Sequence, residues 1–172
     1  MTFEVRDMEA GEADLVIDYF LNATPEFLET LGVDPSRLPR RETWRQAMAR
    51  DFALPPARRD RFYVAWLDGP EVIGFSSCER IVMGEQAFMH LHVIAPERRN
   101  RGAGAACVRL SAELYFARFG LKRLFCEPNA LNVAPNRTLQ KAGFRYVKTH
   151  MTVPGPINFH QPVTRWVLER NA

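Results

Sequence analysis

The spacing of apolar positions changes several times along the chain, and each change marks an element. Phe3-Glu4-Val5-Arg6 alternates apolar and polar residues and predicts a short strand. From Ala13 to Leu21, the residues Leu15, Val16, Tyr19 and Phe20 fall on one helical stripe. Pro25, Gly32, Pro35 and Pro39 then punctuate a stretch in which Phe27, Leu28 and Leu31 anchor one short helix. Glu42 to Phe52 returns to helical spacing, with Trp44, Ala47 and Met48 on one face, and Pro55-Pro56 ends it. The period then falls to that of strands. Phe62 to Leu67 and Glu71 to Cys78 flank Asp68-Gly69, a strong hairpin signal. After a turn at Gly84-Glu85, a third strand of this meander runs toward Ile94 and stops before Pro96, which cannot donate to a ladder.

The second half reads as cleanly. Ala103 to Phe119 is the longest helical pattern, closed by Gly120 at a C-cap position. Arg123 to Cys126 is a short strand, and Pro135 to Ala142 a helix with proline in its first turn and Gly143 after it. Phe144 to Met151 and Thr164 to Leu168 are the last strands, joined by a Pro/Gly/Asn loop from Val153 to Pro162. The order predicts an α/β domain with a mixed sheet, and 172 residues suffice for one domain, 1–172, with a full core.

Composition narrows the classes. A hydrophobic fraction of 47% and a charged fraction of 25% are ordinary for a globular protein. A net charge of +3, with no helix-turn-helix or aromatic RNA motif, argues against nucleic acid as partner. Cys78, Cys107 and Cys126 are widely spaced in apolar surroundings and read as buried free thiols of a reducing compartment. No apolar run approaches membrane-spanning length and the N-terminus has no signal-peptide pattern, so the expectation is a cytoplasmic protein with no membrane partner.

Candidate chemistry gathers where the central strand meets the long helix. Arg98, Arg99 and Arg101 surround a turn that ends in Gly102-Ala103-Gly104. Glycines there let backbone amides approach a ligand, and a helix start offers N–H groups and positive dipole, so the turn predicts a pyrophosphate cradle. Arg99-Asn100-Arg101-Gly102-Ala103-Gly104 resembles the R/Q-x-x-G-x-G/A signature of the GNAT N-acetyltransferase superfamily. Asn132 to Phe144, with Asn136-Arg137, Leu139, Gln140-Lys141 and Gly143-Phe144, is similar to the superfamily's second signature, in the form found in the ribosomal-protein N-terminal acetyltransferase subgroup.

The resemblance covers roughly the whole chain and implies a mixed, mostly antiparallel sheet of about six to seven strands flanked by helices. It also implies an acyltransferase that uses acetyl-CoA as co-substrate and no metal. Residues Arg99 to Gly104 would wrap the pyrophosphate, the main chain at Val93 and Ile94 would hold the pantetheine and polarise the thioester, and Asn132 and Asn136 would contact the cofactor or orient the reacting end. The acceptor is a primary amine, on a small molecule or a peptide N-terminus. Homodimers are frequent in the superfamily, and the sequence leaves the oligomeric state open.

Three features depart from the pattern, one of them Pro135, which stands where relatives often carry Ala or Ser. Leu139 stands where many relatives carry a tyrosine that reprotonates the leaving thiolate, and Phe88 about where one branch has a catalytic glutamate. Strand alternation puts His90 and His92 on the face of Phe88, and an imidazole titrates near neutral pH, so either is a candidate base, with His92 favoured for its place near the strand end. Glu79 and Glu127 are further candidates. Arg37, Arg40, Arg41 and Arg45 read as a solvated helix face, with recognition of an acidic acceptor as the other reading. Against the amine acetyltransferase stand a siderophore-precursor N-acyltransferase and a non-catalytic acyl-CoA-binding module.

Overall fold

The computed structural model of the chain describes residues 2–94 and 102–170. These form one seven-stranded sheet in the order β1-β2-β3-β4-β5-β7-β6. Its strands are β1 (Phe3–Asp7), β2 (Arg61–Asp68), β3 (Glu71–Val82), β4 (Gln86–Val93), β5 (Arg123–Cys126), β6 (Arg145–Thr152) and β7 (Gln161–Glu169). Only β4 and β5 pair in parallel; every other neighbouring pair is antiparallel. The helices are α1 (Ala13–Leu21), α2 (Pro25–Leu31), α3 (Arg41–Phe52), α4 (Ala103–Phe119) and α5 (Val133–Lys141).

Alternation along β2 to β4 divides the apolar side chains into two layers. Phe62, Trp66 and Met89 point to the α4 side, where they pack with Val108, Tyr115 and Phe119. Tyr63 and Phe75 point the other way and meet Val16, Phe20, Leu28 and Met48 of α1, α2 and α3. Each such buried side chain stabilises the fold by about 1.5–3 kcal/mol relative to exposure. The α4 layer also holds polar atoms, and they are partnered. Trp66 Nε1 donates to Ser111 Oγ at 2.9 Å, and Ser76 Oγ and Tyr115 Oη share a hydrogen bond of 2.7 Å.

Most element boundaries fall within a residue or two of expectation, and three differences have a clear physical reason. β3 runs on to Val82 past Cys78 because Arg80, at φ +50, absorbs a register shift between Glu79 and Val82 and pairing with β4 resumes. β7 begins at Gln161 and includes Pro162, which pairs with Met151 of β6 beyond the end of β5, where no further strand needs its missing N–H. α5 begins at Val133, since Asn132 in extended conformation already acts as its N-cap.

The feature that positions the site is the parting of β4 from β5. Their pairing ends at Met89 and Cys126, yet β4 continues to Val93. After Cys126 the chain follows β7: Thr164 N donates to Pro128 O at 3.1 Å and Ala130 N to Pro162 O at 2.9 Å. A wedge therefore opens in the middle of the sheet.

Candidate functional site

A cleft of about 370 Å3 enters this wedge. Its floor is the sheet face carrying Tyr63, Phe75, Ser77, His90 and His92. One wall is α1 and α3, through Val16, Phe20, Trp44 and Met48; the opposite wall is the loop Pro154–Asn158. At the wedge itself lie Leu91, Cys126, Glu127 and Asn132.

Local sequence explains both walls. Thr24 caps α2 by accepting from Phe27 N at 3.2 Å, Pro25 takes the first turn, and Gly32 ends the helix at φ +74. Asn158 Nδ2 and Gln161 Nε2 both donate to Gly32 O, at 2.9 and 2.8 Å, and Arg37 donates to Asn158 O at 2.9 Å. The β6–β7 loop is thus clamped to the α2–α3 connection, and the cleft is walled on both sides. Two arginines of α3 serve structure: Arg41 pairs with Asp18 at 2.6 Å and Arg45 with Asp14 at 2.7 Å, tying α3 to α1.

The two histidines occupy different environments. His92 is caged by rings, with centroids of Tyr19, Phe20 and Phe75 at 4.9, 5.3 and 4.8 Å. Burial, aided by the neighbouring His90 and Arg61, pushes its imidazole well below the usual histidine range, so it is neutral. Its Nδ1 is buried with no partner among the described residues. His90 Nε2 instead lies 2.9 Å from Glu79 Oε1. Burial alone would raise the Glu79 carboxyl, but the His90 hydrogen bond and the Arg61 and Arg80 charges outweigh it and hold the group down at about 2. Arg61 also hydrogen-bonds Glu79 directly. An ionised carboxylate only accepts, so His90 carries a proton on Nε2, and Nδ1 is the nitrogen that can take another.

Across the wedge, Glu127 is bound by Arg165, with His150 Nε2 at 3.7 Å. Asn132 borders the cleft, and its placement depends on Asn136. Asn136 Nδ2 donates to Asn129 O at 3.0 Å and Asn132 O at 2.8 Å, while Oδ1 accepts from Trp166 Nε1 at 2.8 Å. With its amide so engaged, Asn136 holds the 129–132 turn in place. Leu139 is fully buried in the α4 layer and has no proton to give.

The central-strand amides are distinguished by direction. Ile94 N donates to Ile73 O at 2.9 Å, so that N–H is spent within the sheet. Alternation then turns the main-chain groups of Leu91 and Val93 toward the wedge. Arg99, Asn100 and Arg101 of the expected pyrophosphate cradle, with Arg98, lie outside the described residues. Gly102, Ala103 and Gly104 follow. Gly102 has φ +81, a conformation that disfavours side chains, and opens the 17-residue α4. A Cβ on Gly104 would come within 3.3 Å of Thr138 Cγ2, so the glycine lets α4 start hard against α5. First-turn amides of α4 have no acceptor inside the helix, so this helix start has the chemistry to hold an anionic group. Among the described residues no three His, Cys, Asp or Glu side chains are grouped to hold a metal, and no helix is long and apolar enough to cross a membrane.

The family model for the acetyltransferase (GNAT) family matches residues 24–144. No curated protein matches the chain by sequence. Among solved structures, the ribosomal L7/L12 alpha-N-protein acetyltransferase RimL in complex with coenzyme A superposes with TM-score 0.76 at 15% identity, over 98% of this chain and 94% of that one. The aminoglycoside acetyltransferase AAC(6')-Ib in complex with coenzyme A and kanamycin gives 0.73 at 16% identity, over 98% and 95%. A spermidine N-acetyltransferase SpeG chimera from Vibrio cholerae and hSSAT gives 0.74 at 16% identity, over 98% and 96%.

Proposed function

The chain belongs to the GNAT acetyltransferase family and is an N-acetyltransferase that uses acetyl-CoA; from that premise we propose that it acetylates a primary amine by direct attack within a ternary complex, with His90 as the base. The observation that carries this reading is the wedge between β4 and β5, which puts His90 and Asn132 on one cleft. A thioester lying along β4 would present its carbonyl to the main chain at Leu91–Val93, and a fixed amide there stabilises developing negative charge without reorganisation.

The amine must shed a proton to become nucleophilic. His90 Nδ1 takes it, directly or through one water, while Glu79 fixes the ring and its tautomer. The C–N bond then forms, the nitrogen gives its second proton to water as the C–S bond breaks, and the released thiolate takes a proton from solvent, since buried Leu139 supplies none. His92 is neutral, ring-packed and a poor base, so it serves as wall. This choice reverses the preference drawn from strand position alone.

The test has two stages. In a thermal-shift titration, acetyl-CoA near 100 times its dissociation constant adds about 2.7 kcal/mol of stability, whereas ATP adds little. No shift with any CoA species would defeat the proposal. Given binding, thiol release is then followed over a panel of amines. His90→Ala should cut kcat by about 10²-fold and remove one ionisation from the kcat/KM pH profile, while His92→Phe leaves that profile unchanged. Acetyl-CoA binding with no turnover of any amine or N-terminal peptide would instead identify a non-catalytic acyl-CoA-binding module.

A further inference from the structure

The acceptor half of the cleft has a chemistry of its own. Away from the wedge it is bounded by Val16, Phe20, Trp44, Met48, Phe75 and His92. Phe20 and Trp44 are stacked, centroids 5.7 Å apart and planes at 28°, and His92 continues the aromatic wall from Phe20. None of these six side chains is ionised, His92 being held neutral.

The charges that do reach the cleft lie elsewhere and are mostly occupied. Asp51 accepts from the backbone amides of Asp60 and Arg61, at 2.8 and 3.1 Å. Glu127 is bound by Arg165, and Arg61 by Glu79. Asp60 is exposed. A polycationic acceptor needs several carboxylates turned toward it, since each buried ammonium requires a partner. An acidic acceptor needs a cation, and of the arginines of α3, Arg41 and Arg45 are bound to Asp18 and Asp14 while Arg50 does not line the cleft. Neither kind of acceptor is matched by the wall.

We infer that the acceptor is a small primary amine joined by a short linker to an apolar ring, with the amine at His90 and the ring against Trp44 and Phe20. This rests on the proposed acetyl transfer and narrows it to one class of substrate. Size agrees: 370 Å3 equals the volume of about twelve waters at roughly 30 Å3 each, enough for an arylalkylamine beside the acyl end of the cofactor. The ring gains both apolar burial and stacking against Trp44, whereas a polyamine chain would desolvate its charges against the same surface. The clamped Pro154–Asn158 loop closes the side opposite Trp44, which favours a compact acceptor over an extended chain.

The experiment compares 2-phenylethylamine and tryptamine with spermidine, kanamycin and a peptide beginning with phenylalanine, at saturating acetyl-CoA. The expected result is a kcat/KM at least tenfold higher for the two arylalkylamines. Trp44→Ala should lower kcat/KM for 2-phenylethylamine at least tenfold, chiefly through KM, while Trp44→Phe retains most of it. Calorimetry of 2-phenylethylamine binding to the wild-type protein with CoA, which cannot transfer, should show binding that spermidine lacks. Equal or better use of spermidine, kanamycin or the peptide would overturn the inference and leave the acetyltransferase reading standing. So would a cofactor-competent protein that turns over neither arylalkylamine. Failure to bind acetyl-CoA would defeat both.

Discussion

At the scale of single residues, the pair Glu79–His90 separates this site from a generic cleft. Its stability signature has a definite sign. The Glu79 carboxyl is held at about 2 in the folded protein, against 4.5 ordinarily. A depressed carboxylate contributes stability that is fully present above its unfolded value and is lost as pH falls toward the folded one. Burial works against the shift, so the contribution comes from the hydrogen bond and charge of His90 and from Arg61 and Arg80. Glu79→Gln should therefore destabilise the protein at pH 7 by at most about 3 kcal/mol, and the gap to wild type should close between pH 4.5 and 2. Urea melts at pH 7 and pH 3 measure it. A gap of equal size at both would mean that Glu79 contributes packing and not charge.

At the scale of elements, the wedge depends on how closely β3 approaches β4. Gly74 stands opposite Val93, and a Cβ there would lie 2.6 Å from His92 O and 2.9 Å from Trp66 Cε3. Gly74→Ala must push β4 off β3 at the cleft floor, at a cost of about 2 kcal/mol. A melting temperature lowered by roughly 4–8 °C, with a reduced acetyl-CoA shift, is the expected outcome; a variant that melts with wild type would show that the strands yield freely. Element existence was legible from residue patterns because it is local. The Asp68-Gly69 hairpin, the α4 pattern closed by Gly120 and the Asn132–Phe144 segment all form where their spacing put them. Roles were less legible, because register assigns them. His90 meets Glu79 only through the β3–β4 pairing, with Arg61 joining from β2, and within β4 only distance from the strand end distinguishes His90 from His92. Asn136 likewise looks like a cofactor contact in its motif, yet the turn at 129–132 takes its amide.

At the scale of the whole molecule, the sheet puts His90 and His92 in one apolar layer and the thiols in the other, with Cys126 at the border, where it also lines the cleft. Cys78, Cys107 and Cys126 all belong to the α4 layer, and all three are buried and free. Burial pushes each thiol upward, Cys107 to about 12 and the other two further. Only the thiolate attacks a disulfide reagent, and at pH 8 roughly a quarter of an unperturbed cysteine is ionised, against on the order of 10⁻⁴ for a thiol at 12. Sterics act in the same direction for Cys78 and Cys107, which are buried in the α4 layer, while Cys126, also buried, borders the cleft. Native protein treated with 5,5'-dithiobis(2-nitrobenzoate) at pH 8 should therefore release almost no colour over minutes, and three equivalents once guanidinium unfolds it. Slow labelling without denaturant then measures opening of the α4 layer, and acetyl-CoA should slow it, since a ligand that binds only the folded state lowers the open population. Rapid native labelling of Cys78 or Cys107 would mean that the α4 layer opens independently of the cleft. In that case the sheet would not couple cofactor binding to the core behind it.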